Sequence, residues 1–143
     1  MKSYRLKASE KVPFTHLFIL TKSDFSVGFS NKQITLAALN VGDVVFPGIL
    51  QEIKTYVTGP TGAPTASLGV TGAGTQFTAA SSVVSAASKL IVPGEAVPPY
   101  AANAATNLIV DLQVGGGDGA AATAGELWFW VQMSLASDRS TQA

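Results

Sequence analysis

His16 is the single histidine of the chain, and it lies in an apolar run, "FTHLF". A histidine can be a base, a metal ligand or a packed residue, and in apolar surroundings a structural role is expected. A cupin-type metal site needs several histidines at set spacings, which one cannot supply. A Ser-His-Asp triad needs a group to orient the base and an exposed serine, and no "GxSxG" elbow is present. The nine acids, Glu10, Asp24, Asp43, Glu52, Glu95, Asp111, Asp118, Glu126 and Asp138, are scattered, mostly at turns or outward strand positions. No pair among them stands out for glycoside hydrolysis. "GGGDG" at 115–119 is followed by no lysine, so it is not a phosphate loop. A calcium-binding glycine repeat needs another spacing and several copies, and a hairpin loop explains the segment better. There is no cysteine, hence no thiolate chemistry and no disulfide framework. The expectation is a protein without enzymatic activity, metal or cofactor.

The residues that do stand out are aromatic. Glu126–Leu135 reads "ELWFWVQMSL". Its alternation puts Leu127, Phe129, Val131, Met133 and Leu135 on one side, as the buried face of a strand requires. The other side carries Glu126, Trp128, Trp130, Gln132 and Ser134, including both tryptophans of the chain. Burying a large aromatic side chain is worth about 1.5–3 kcal/mol or more, so leaving two in water forgoes much stabilisation and invites association. Three arrangements would cover them: an N-terminal arm or loop folded over them, a second sheet on their side, or another protein.

The elements that must position this strand are strands too. "FTHLFIL" is nearly all apolar and suits a strand covered on both faces. "KQITLAAL" turns Ile34, Leu36 and Ala38 inward. "VGDVVF" ends at the turn signal Pro47–Gly48, and Asp43 serves the turn before it. Ile49, Ile53 and Val57 fit either a helix face or a strand face. The strand formers Thr55, Tyr56, Val57 and Thr58 favour the strand. Residues 55–88 contain no charge at all, and Gly, Ala, Ser and Thr dominate them. Leu68, Val70, Phe77, Val83 and Val84 have no use in a flexible linker, so short strands joined by Gly/Pro turns are expected there. "SSVVSAASKLIV" suits a helical turn or another strand, and "VPGEAVPPYAANAATN" is a proline-rich loop. "NLIVDLQV" alternates Leu108, Val110, Leu112 and Val114 inward, Asn107, Ile109, Asp111 and Gln113 outward. It is expected to pair with the tryptophan strand as a hairpin. The sum is an all-β, jelly-roll-like antiparallel sandwich of about eight short strands.

The chain has 143 residues, which suits one domain with a sizeable core. We divide it into a basic N-terminal arm (1–12), a sandwich domain (13–136) and a polar C-terminal tail (137–143). Nine basic residues balance nine acidic ones. That argues against general nucleic-acid binding and leaves self-association unopposed. No apolar run reaches the length of a membrane span, and no signal peptide is evident, so no membrane partner is expected.

The segments "ITLAALNVGDVVFPGILQEIKTYVTG", "TASLGVTG" and "NLIVDLQVGGGDGAAATAGELWFWVQMSLAS" together resemble capsid decoration, or cement, proteins of tailed bacteriophages. The features that carry the resemblance are an apolar strand after a "GD-V" turn at Gly42–Val45, the glycine of Ser67–Val70, and the closing Thr123–Leu135. It covers about residues 33–137. It implies a jelly-roll or related sandwich, many copies on a capsid exterior, assembly in the host cytoplasm, and no catalysis. Such a protein would bridge neighbouring major capsid protein subunits and associate with itself as a homodimer or homotrimer. The candidate interface residues are Tyr4, Arg5, Lys7 and Lys11 on the arm, with Tyr100, Trp128 and Trp130. The alternative is a tail or fibre module that recognises a host glycan by stacking sugars on Trp128, Trp130 and Tyr100.

Overall fold

Period-two alternation dominates the chain, and strands are what form. The computed structural model describes residues 1–6, 14–25, 31–46, 49–60, 62, 64–84, 90–91, 99–114 and 122–136. Lys7, Lys11, residues 92–98 of the proline-rich loop, the "GGGDG" segment and the tail 137–143 lie outside the described residues.

Among the described residues twelve strands follow in order: β1 (Lys2–Arg5), β2 (His16–Thr21), β3 (Asn31–Leu39), β4 (Val44–Val45), β5 (Leu50–Thr58), β6 (Pro64–Val70), β7 (Ser81–Ser82), β8 (Leu90–Ile91), β9 (Tyr100–Ala101), β10 (Thr106–Val114), β11 (Ala124–Val131) and β12 (Met133–Ser134). They make a five-stranded sheet ordered β1-β2-β11-β5-β8, a four-stranded sheet β3-β10-β6-β7, and a small sheet β12-β4-β9. Every pairing is antiparallel. The sandwich expected from the sequence is thus the fold, with more strands among the described residues than the eight or so anticipated.

The core lies between the two larger sheets. Phe18 and Leu20 of β2, Leu127, Phe129 and Val131 of β11, and Ile53 and Val57 of β5 come from one. Ala66, Leu68 and Val70 of β6 and Leu108, Val110, Leu112 and Val114 of β10 come from the other. The backbone of Val83 joins the sheets at one margin: Val57 N–H donates to Val83 O at 2.9 Å, and Val83 N–H donates to Pro64 O at 3.1 Å. Among the described residues, one polar side chain sits in this core without a partner. Gln51 is 0% exposed, lies opposite Phe129, and neither amide atom is hydrogen-bonded. An unmet buried amide costs about 1–3 kcal/mol. Gln51→Met keeps the shape and removes the polar atoms, so the unfolding free energy should rise by about 1–3 kcal/mol, read from the urea midpoint.

Three local expectations are corrected. β10 and β11 do not form a hairpin: β10 pairs β3 and β6, while β11 pairs β2 and β5. Each is a central strand of its own sheet, so the chain between them crosses from one sheet to the other. In β3, Ala38 is exposed, not inward, and Leu39 is buried in its stead. The register against β10 shifts between Leu108 and Ile109, leaving Leu36 as the extra residue, and a bulge of this kind resets the alternation. Finally, Ile109 and Asp111 point away from the core yet are buried. The turn after β6 folds back over them: Ser67 Oγ donates to Gly74 O at 2.8 Å, and Gly74 packs against the Asp111 carboxylate.

The strand reading of 49–58 holds, with Ile53 and Val57 inward. So does the doubly covered "FTHLFIL", since His16 to Leu20 are all buried. His16 packs parallel to Phe18, ring centroids 6.2 Å apart, and its Nδ1 shares a 2.8 Å hydrogen bond with Thr15 Oγ1. These are contacts of a packed side chain.

Candidate interaction face

Antiparallel partners directly opposite one another share a face. The outer face of the five-stranded sheet therefore carries two cross-strand rows that hold the tryptophans. One is Tyr4, Leu17, Trp130, Leu50, and the next is Lys2, Ile19, Trp128, Glu52. Leu127, Phe129 and Val131 occupy the other face, in the core. The tryptophans do not look toward the second sheet.

They are covered partly by each other. The Trp128 and Trp130 ring centroids are 5.9 Å apart at an interplanar angle of 51°. Phe14, in the segment before β2, lies 6.0 Å from Trp130. The Lys54 ammonium stands 4.5 Å above the Trp128 ring, a cation–π contact, and is also 2.7 Å from Glu52 Oε1. Trp130 Nε1 donates to Glu52 Oε2 at 3.3 Å, whereas Trp128 Nε1 is buried and makes no hydrogen bond to a described residue. In turn the indoles stand opposite Leu17 and Ile19, which are only 7% and 8% exposed. So the two apolar oddities of the sequence answer one another: the outward residues of β2 need cover, and the outward tryptophans of β11 supply it. Both indoles stay half-buried, and Tyr4 at the sheet margin is 45% exposed.

The structure brings together three of the residues singled out from sequence, Tyr4, Trp128 and Trp130. Arg5 neighbours Tyr4 in β1 but alternation turns it to the opposite face, level with His16. Residues 2–5, expected within an arm, are a strand docked on this chain's own sheet. Tyr100 is on the small sheet, its ring edge-on to Phe77 at 5.5 Å and packed on the core. Lys7 and Lys11 are outside the described residues. Sequence reasoning missed Phe14, Leu17, Ile19, Leu50, Glu52 and Lys54. The signal for most of them was the phase of β2 and β5: once Ile53 is inward, Glu52 and Lys54 are outward.

No group of three His, Cys, Asp or Glu among the described residues is placed to hold a metal ion. No described helix is long and apolar enough to cross a membrane. No protein-family model matches the chain. No curated protein matches it. Among solved structures, the chain is similar to one from the acidic stable capsid structure of Helicobacter pylori bacteriophage KHP30, with 17% identity, 82% of this chain and 98% of that chain covered, and a TM-score of 0.39.

Proposed function

We propose that the chain is a structural virion protein of a bacteriophage that binds the capsid exterior and stabilises it by bridging neighbouring major capsid protein subunits. It acts without catalysis, metal or cofactor, and its docking surface is the outer face of the five-stranded sheet. One observation carries the choice of face: Trp128, Trp130, Phe14 and Tyr4 form a half-covered aromatic patch on it. Tryptophans in that state are typical anchors of protein interfaces. The sequence resemblance to cement proteins supplies the class of partner. A ligand that binds only the assembled shell stabilises it by mass action.

The glycan-binding alternative is less well served. Lys54 stands over the face of Trp128 on which a sugar would stack, and Tyr100 belongs to another sheet.

Trp130→Ala tests the reading. Removing an anchor of this kind costs about 2 kcal/mol or more of binding, so co-sedimentation with capsids should weaken about thirtyfold. Thermal unfolding of the free variant shows whether the sheet survives the uncovering of Leu17. A folded variant that binds capsids as the parent does would sink the assignment of this face. Absence of the parent chain from purified particles would sink the virion reading.

A further inference from the structure

We infer that β3 is the dimerisation edge of this protein, pairing antiparallel with β3 of a second copy. An open strand edge is a template for another strand, and proteins commonly blunt such edges by keeping them short, charged or proline-bearing. Among the described residues this chain does so at five of six sheet edges. β1 has four residues with Lys2 and Arg5 among them, and β7, β8, β9 and β12 have two each. β3 is the exception: nine residues, Asn31–Leu39, at the edge of the four-stranded sheet, with no proline. Among the described residues nothing pairs with its outer side. The bulge at Leu36 leaves Asn31–Thr35 in regular register with Gln113–Ile109, so that stretch is straight enough to accept a strand.

The occupant follows from self-complementarity. A two-fold axis through Gln33 sets Gln33 against Gln33, Asn31 against Thr35 and Lys32 against Ile34. Asn31, Gln33 and Thr35 are exposed and uncharged, and they share one face in both copies. The lone charge of the strand, Lys32, is already engaged: its Nζ donates to Asp24 O at 2.8 Å. Ile34 is half-buried at the rim of the core, and the Lys32 stem of the second copy would cover it. The interface is isologous, as a closed dimer requires, and joins two four-stranded sheets into one of eight. The zero net charge of the chain raises no opposition.

The test uses the isolated protein by sedimentation, so it does not depend on the capsid reading. The parent should run as a dimer of 14.7 kDa chains. Gln33→Lys and Gln33→Glu each put like charges face to face across the axis and should weaken the dimer about fivefold or more. Mixing the two variants should restore it, which a general loss of folding would not allow. A parent that stays monomeric at high concentration overturns the inference. So does a dimer that neither variant weakens. Loss of capsid binding in both variants, with the oligomeric state unchanged, would mean that the edge receives a capsid strand, and would also overturn it.

Discussion

Gly69→Ala should lower the unfolding free energy by about 3–5 kcal/mol, the largest loss expected from adding a single methyl group. A Cβ at Gly69 would lie 2.1 Å from Ala73 O, 2.5 Å from Gly74 C and 2.7 Å from Gly74 O. All three are backbone atoms, so no rotamer change relieves the clash. The turn after β6 would have to lift off the sheet. Overpacking alone costs about 1–3 kcal/mol and at times more. Lifting also strains the paired bonds between Val70 and Ala73, at 2.8 and 3.1 Å, and the Ser67 bond to Gly74, each worth about 1 kcal/mol. Ile109 and Asp111 would lose their cover. Gly72, in the same turn, is the control. Its φ is +87°, but a Cβ there meets nothing within 4 Å. Gly72→Ala should cost only about 1–2 kcal/mol, from the left-handed backbone. Urea denaturation of the two variants separates the cases. Equal losses would mean that space at Gly69 does not matter.

Asp43→Ala should be nearly as damaging, at about 3 kcal/mol or more. The carboxylate is 2% exposed and joins distant parts of the chain. Oδ2 accepts from Asn40 N–H at 2.8 Å, closing the turn in which Gly42 adopts φ 91°. Oδ1 accepts from Ala136 N–H at 2.6 Å, just beyond β12. The Asp43 carbonyl accepts from Ala102 N–H at 2.9 Å, beside β9. One residue thus pins all three strands of the small sheet. Hydrogen bonds to a charged acceptor are worth about 1.5–3 kcal/mol each, and alanine removes two. Asp43→Asn keeps one acceptor oxygen and should lose about half as much. Equal stability of Asp43→Ala and the parent in chemical denaturation would show that Ala136 is held by other means.

How far the sequence could be read depended on the reach of each interaction. Alternation is a property of a single strand, so the buried faces of β2, β5, β10 and β11 were legible. The role of Asp43 in its turn was legible as well, because Asn40 is three residues away, but its hold on Ala136 spans the chain and leaves no local trace. The bulge at Leu36 is a matter of register with β10, and "KQITLAAL" alone cannot display it. The false hairpin arose from taking neighbours in sequence as neighbours in the sheet. Yet "LWFWV" and "HLFILT" each carry apolar residues on both faces, and a strand of that kind asks for a partner of its own kind. They pair, Trp128 with Ile19 and Trp130 with Leu17. Phe14, Glu52 and Lys54 complete the patch by tertiary approach, which composition does not encode.

The order β1-β2-β11-β5 has a consequence for how the protein is made. β2 leaves the ribosome about a hundred residues ahead of β11, the strand that pairs with it and sets its tryptophans beside Leu17 and Ile19. At about 5–20 residues per second the interval is roughly 5–20 s. Throughout it, the apolar strand His16–Thr21 has no permanent neighbour on that side, and the five-stranded sheet closes only when synthesis of the domain is nearly finished. Yield in the cell should therefore respond to the speed of translation and to chaperone supply more than to the stability of the finished fold.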